Sequence, residues 1–210
     1  MKSIVKICGL SEKSSIDTAV KNGARFLGFI LNYPKSPRNI NLDQLKDITH
    51  GIETNKVAVM VNPSDEQIDQ VSKFCEYLQC HGDETNDRIN DIKTKFNIKI
   101  IKAIKIKNAS SLQEIPKYSA ADEILIDTPA MEKTQTFDFK ILKGLDITRY
   151  FLAGGITTEN LKFAMQYTNK IDVSSGLESA KGIKDNKKIC LLYTSPSPRD
   201  LSTSRMPSSA

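Results

Sequence analysis

Eight short, β-branched apolar runs recur roughly every 20–30 residues along the 210-residue chain, each closed by glycine or polar residues and followed by a mostly amphipathic stretch. They are Ile4–Cys8, Phe26–Leu31, Lys56–Val61, Tyr77–Gly82, Ile98–Ile104, Glu123–Thr128, Tyr150–Ile156 and Lys170–Gly176. Near-continuous apolar runs fit strands buried on both faces, and a parallel sheet needs helices to cover it. Eight such units are the count for a closed barrel. The fold class expected is α/β, a (β/α)8 TIM barrel in one domain over residues 1–189.

The connecting segments carry helix signals. Ile16, Ala19 and Val20 share a face and Gly23 supplies a stop. Leu42, Leu45 and Ile48 point inward from a helix starting near Asn41, and Ser64 with Gln67 has capping-box spacing before Ile68 and Val71. Ile89, Ile92 and Phe96 mark a fourth helix; Pro116 breaks a poorly formed one around Leu112, and a short one is expected near Phe137 to Leu142. An eighth begins at Asn186 to Ile189, then meets a serine-rich stretch with Pro196, Pro198 and Pro207 and no lysine. The expectation is that the last helix is missing or replaced. Residues 190–210 would be a disordered, non-native-looking tail that resembles translated vector or adapter sequence joined to a truncated reading frame.

Composition narrows the function. Lysines behind the net charge of +5 are scattered, and no aromatic-basic stripe is present, so a nucleic-acid partner is not expected. No apolar run reaches membrane-spanning length and the N-terminus has no signal-peptide core, so no membrane partner is expected either. The four cysteines form no CxxC pair, which suits free thiols in a reducing cytoplasm, and two histidines make a metal site an unfavoured reading.

Functional residues of such a barrel sit at the carboxyl ends of strands. Those ends offer Cys8, a proline-stiffened loop with Arg38, Asn62, His81, Lys102 nearby, Asp127, Gly154-Gly155 and Ser174-Ser175-Gly176. Glycines let a backbone approach a ligand closely, and a helix start after Gly155, with Thr157 or Thr158 as cap, adds N–H groups. Two consecutive strand ends of this kind form a phosphate cup. Cys8 and Asp127 face each other across the mouth, which suits one group taking a proton while another delivers one. An arginine at the opposite rim suits a carboxylate, so the substrate is a small, elongated dianion. Each residue also has a plainer reading: Cys8 as core packing, His81 satisfying a carbonyl, Lys102 snorkelling at the rim, Arg38 as an exposed loop residue.

Taken together the motifs Lys6-Ile-Cys-Gly9, Ser36-Pro-Arg38, Val57-Ala-Val-Met-Val-Asn62, Leu78-Gln-Cys-His-Gly82, Ile126-Asp-Thr128, Leu152-Ala-Gly-Gly155 and Asp172-Val-Ser-Ser-Gly-Leu-Glu178 stand in one order. In that order the chain resembles the phosphoribosylanthranilate isomerases of tryptophan biosynthesis over about Lys2 to Lys188. The resemblance implies an Amadori rearrangement without metal or cofactor. It assigns Asp127 as general acid and Cys8 as general base, Arg38 to the anthranilate carboxylate, and His81 to the substrate-binding set. It places Asp172 near the sugar hydroxyls and Gly154, Gly155, Ser175 and Gly176 on the phosphate. It leaves monomer and homodimer both open.

Two segments depart from the family pattern. Pro129 to Thr136 stands where the family commonly has Gly-Gly-Thr-Gly, and the tail stands in place of the closing helix. A barrel made inactive by truncation, or one that binds a phosphate ligand without chemistry, is the alternative. A mere binder has no need of Cys8 and Asp127 across one mouth.

Overall fold

The computed structural model describes residues 3–106, 109–127, 142, 144 and 146–194. Eight parallel strands form the barrel: β1 Ile4–Cys8, β2 Phe26–Leu31, β3 Asn55–Met60, β4 Tyr77–Cys80, β5 Lys99–Lys105, β6 Glu123–Asp127, β7 Phe151–Leu152 and β8 Lys170–Val173. Each pairs with its sequence neighbour, and β1 closes the ring by pairing with both β2 and β8. A two-residue strand, Asn39–Ile40, extends the outer end of β2, and Glu178–Ala180 pairs with Ile183–Lys184 as a small antiparallel hairpin after β8.

Helices α1 Lys13–Lys21, α2 Leu42–Thr49, α3 Asp65–Ser72 and α4 Asn86–Lys95 follow the first four strands. The Ser64–Gln67 box caps α3, and Asn41 with Gln44 makes a second box on α2. After β5 the proline-interrupted segment is a 3-10 helix, Ala109–Tyr118, with Lys102 and Tyr118 in cation–π contact. After β7 comes the single-turn α5, Leu161–Ala164. The expected helix near Phe137 to Leu142 and the atypical 129–136 loop lie outside the described residues, apart from Leu142.

Side chains alternate across every strand and build two apolar layers. The larger packs strands against helices; the smaller, with Phe26, Val57, Val59, Ile101, Leu125 and Phe151, fills the barrel. Phe26 meets Tyr77 and Phe151 edge to face at 5.2 and 5.3 Å. This aromatic plug fills the barrel below a cavity at the carboxyl ends of the strands.

The closing helix is present. α6 spans Asn186–Thr194, beyond the boundary expected at residue 189, and it packs on α1. Ile189 and Leu192 are buried and Tyr193 packs beside them, an i, i+3, i+4 stripe; the first proline comes only at Pro196. Residues 195–210 lie outside the described set.

Candidate active site

The carboxyl ends of the strands surround a cavity of about 430 Å³. Cys8, Arg38, His81, Asp127, Gly154, Asp172 and Ser175 all line it, together with Ile30, Val59, Val61 and Leu125 as an apolar wall. Gly155 and Gly176 stand behind Gly154 and Ser175 in the same two turns. Asn62 and Lys102 do not reach it. Asn62 braces the next loop by accepting from Asp83 N, and Lys102 is buried outside the barrel, donating to Glu84 and to the Gly82 carbonyl at 2.8 Å. A rim position was the sequence expectation for Lys102. The carboxylate Glu84, which also accepts from the Asn62 and Gly82 amides, draws it to the helix side instead.

Asp127 ends β6, and its Oδ2 is 3.2 Å from His81 Nε2. Gln79, one inward step earlier on β4, places its Nε2 3.2 Å from His81 Nδ1, which fixes the imidazole between two polar partners. The Gln79 Oε1 is buried and has no hydrogen-bond partner among the described residues, beside the cavity.

Beneath the mouth, Cys8 shares the barrel interior with Lys6 and Asp172. Lys6 is fully buried, with its Nζ 3.0 Å from Asp172 Oδ1. Burial alone would push the ammonium down, but Asp172 and Cys8 outweigh it and hold it above its usual value. Burial pushes the Cys8 thiol up, further than Lys6 and Lys184 pull it down. Inward-facing charges at alternate positions of neighbouring apolar strands were a readable signal of this cluster, and Lys6 was missed.

Arg38 is not at the far rim from the glycine-serine turns. Its side chain crosses Gly9, where a Cβ would stand 2.4 Å from Arg38 Cδ and the backbone has φ +75°. It then reaches the hairpin after β8, with Nε 2.5 Å and Nη2 2.8 Å from the two Glu178 oxygens. Burial would raise the Glu178 carboxyl, yet Arg38, Lys184 and the Gly182 amide prevail and hold it at about 2. Glu178 and Lys184 were also missed as contributors, since their hairpin has no periodic signature.

The two turns assigned to phosphate fold onto each other. Gly154 and Gly155 have φ of 91° and 60°. A Cβ at Gly176 would lie 2.0 Å from the Ile156 carbonyl oxygen, so no other residue permits this approach. Thr157 caps a preceding turn, its Oγ1 accepting from Glu159 N and Asn160 N at 3.3 and 3.4 Å, while Asn160 is the residue before α5. Among the described residues no group of three or more His, Cys, Asp or Glu could hold a metal ion, and no helix is long and apolar enough to cross a membrane.

Residues 5–194 match the family model for N-(5′-phosphoribosyl)anthranilate isomerase. The chain belongs to this family. It is an isomerase of tryptophan biosynthesis that acts on N-(5′-phosphoribosyl)anthranilate. N-(5′-phosphoribosyl)anthranilate isomerase of Bradyrhizobium diazoefficiens is 35% identical over 204 residues, covering 90% of this chain and 91% of its own. That of Sinorhizobium medicae is 39% identical over 201 residues, covering 88% and 93%. The Thermotoga maritima phosphoribosyl anthranilate isomerase superposes with a TM-score of 0.82 at 30% identity, covering 92% of this chain and 98% of that one. A phosphoribosyl anthranilate isomerase solved with reduced 1-(o-carboxyphenylamino)-1-deoxyribulose 5-phosphate gives 0.79 at 29%, covering 92% and 97%.

Proposed function

We propose that this isomerase runs the Amadori rearrangement to 1-(2-carboxyphenylamino)-1-deoxyribulose 5-phosphate with Asp127 as general acid and Cys8 as general base. Asp127 gives its proton to the ribose ring oxygen as the C1–O bond breaks. The anthranilate nitrogen lone pair moves into a C1=N Schiff base. The Cys8 thiolate then takes the C2 proton, the C2–H electrons become C1=C2 as the C1=N π pair returns to nitrogen, and the enolamine tautomerises to the ketone. The observation that carries this reading is the lining of one small cavity by both groups, with Asp127 held by His81 at 3.2 Å.

The remaining roles follow the same cavity. The amides and hydroxyl of Gly154, Gly155, Ser175 and Gly176 hold the phosphate, in turns whose glycines allow close approach. Arg38, its Nε and Nη2 taken by Glu178, offers Nη1 to the anthranilate carboxylate. Asp172 meets the sugar hydroxyls from the cavity floor. Every residue named comes from one chain, so a monomer or a homodimer carries a whole site. The four cysteines are all free thiols, which suits the cytoplasm.

The test is consumption of phosphoribosylanthranilate by the purified chain beside Asp127→Asn and Cys8→Ala. Each substitution lowers turnover by about 10²–10⁴-fold, while affinity for the reduced product analogue stays. Near-normal turnover in either variant removes that residue from the mechanism.

A further inference from the structure

Cys8 as the base poses a difficulty that the surrounding residues resolve. A thiol is a base only as thiolate, and a buried sulfur surrounded by apolar strands resists taking that charge. Lys6 stands one inward position below it on β1 and is completely buried. A buried lysine paired to one carboxylate gives the fold little, since apolar side chains of like volume serve as well. Its location supplies the reason for keeping it. A Cβ added at Gly28, opposite Cys8 on β2, would meet Cys8 Sγ at 2.9 Å and Lys6 Nζ at 3.1 Å. Sulfur and ammonium therefore converge on one spot, left open because residue 28 has no side chain. The ammonium has three donors, and Asp172 takes one at 3.0 Å.

We propose that Lys6 is a positioning residue for the base, its ammonium donating to the Cys8 sulfur as the thiolate forms and relaxing onto Asp172 once the thiol is restored. This rests on Cys8 being the base. The thiolate takes the C2 proton of the substrate and becomes a thiol again, so Lys6 transfers no proton and keeps its charge throughout.

The other charges near the sulfur have other partners. Asp172, on β8, opposes the thiolate, and Asp127 and His81 act on Asp172 from across the cavity. Lys184 favours the thiolate but already donates to Glu178 Oε1 at 2.9 Å and the Ser174 carbonyl at 3.1 Å. Arg38 is engaged by the same Glu178. Lys6, with one donor on Asp172 and its Nζ beside the sulfur, is therefore the cation placed to turn to it.

The experiment reads thiolate directly, by the rate of iodoacetamide alkylation against pH in a Cys190→Ser background. Cys190 is the exposed thiol, and replacing the buried Cys75 and Cys80 by alanine as well leaves Cys8, which lines the cavity, as the sulfur that reports. Asp172→Asn frees Lys6 for the sulfur and moves the alkylation midpoint down by about one unit, a tenfold gain in rate at fixed pH. Lys6→Met combined with Asp172→Asn leaves no unpaired buried charge and moves the midpoint above that of the parent, with a correspondingly slower rate. A double variant with the parent's midpoint, or one matching Asp172→Asn, overturns the proposal, and circular dichroism verifies that each variant is folded. The double variant decides the matter even if Asp172→Asn does not fold. Full turnover in Cys8→Ala would instead refute the base assignment while leaving the alkylation result standing.

Discussion

Arg38 and Glu178 meet in a two-point fork, guanidinium Nε and Nη2 donating to the two carboxylate oxygens at 2.5 and 2.8 Å. They come from segments 140 residues apart, the loop after β2 and the hairpin after β8. The pairing fixes which edge of the guanidinium is left for a ligand. Glu178→Gln keeps the shape and loses the charge that anchors the fork. The expected outcome is a rise in KM of about tenfold or more, from a charge-assisted bond of roughly 1.5–3 kcal/mol, with kcat little altered. Steady-state kinetics on that variant checks it, and an unchanged KM would mean that Arg38 orients without its partner.

The same carboxylate predicts an acid dependence of stability. Its folded value of about 2 lies below the ordinary glutamate value of 4.5. A depressed carboxylate contributes fully above its unfolded value and loses that contribution as pH falls through the folded one. Urea midpoints of the parent should therefore fall between about pH 4.5 and 2 more steeply than those of Glu178→Gln. Parallel curves would count against the pairing in solution.

Gly176→Ala tests the approach of the two phosphate turns. The added methyl would sit 2.0 Å from the Ile156 carbonyl, so the turns must part. Overpacking of this kind costs about 1–3 kcal/mol of stability. The separated turns should also raise KM and weaken inhibition by inorganic phosphate, with Asp127 and Cys8 untouched. Thermal melts and phosphate inhibition on one sample check both effects.

The barrel was legible because its signal is repetition: eight apolar runs with a glycine or polar stop at each carboxyl end. Cys8 and Asp127 were legible for the same reason, since a polar group closing an apolar strand marks the mouth. Glu178 and the true reach of Arg38 were not, because a loop arginine can find a partner anywhere on the rim and no periodicity says where. Lys102 misled because a lysine within an apolar strand reads as snorkelling, whereas its partner Glu84 lies buried behind the loop. The closing helix runs past residue 189 because the prolines that end it begin only at Pro196, and Ile189, Leu192 and Tyr193 carry the helical stripe until then.

Two buried thiols predict alkaline sensitivity. Burial raises Cys75 and Cys80 to about 12 from an ordinary thiol value of 9.0. A thiol raised in the folded state contributes its full stability below the unfolded value and loses it as pH climbs toward the folded one. Each should therefore remove about 1.4 kcal/mol of stability per pH unit between roughly 9 and 12. Replacing both by alanine should lower stability at neutral pH, through the lost packing, yet flatten the alkaline decline. Denaturation at pH 8, 9 and 10 separates the two effects, and an unchanged slope would place these thiols in contact with solvent.

Leu191 and Leu192 sit side by side on α6 but face opposite ways, one 53% exposed and the other 4%. That contrast makes the helix's packing testable without shortening the chain. Leu192 joins Ile189 in the apolar layer beneath the strands, and α6 rests on α1. Leu192→Ala opens a cavity in that layer and should cost about 2–5 kcal/mol, a large share of a net stability of roughly 5–15 kcal/mol. Leu191→Ala removes an outward side chain and should stay within about 0.5 kcal/mol of the parent. Urea denaturation of the two variants checks the difference. Equal and small effects would mean that α6 does not close the barrel in solution, and that the apolar surface between β8 and α1 has some other cover.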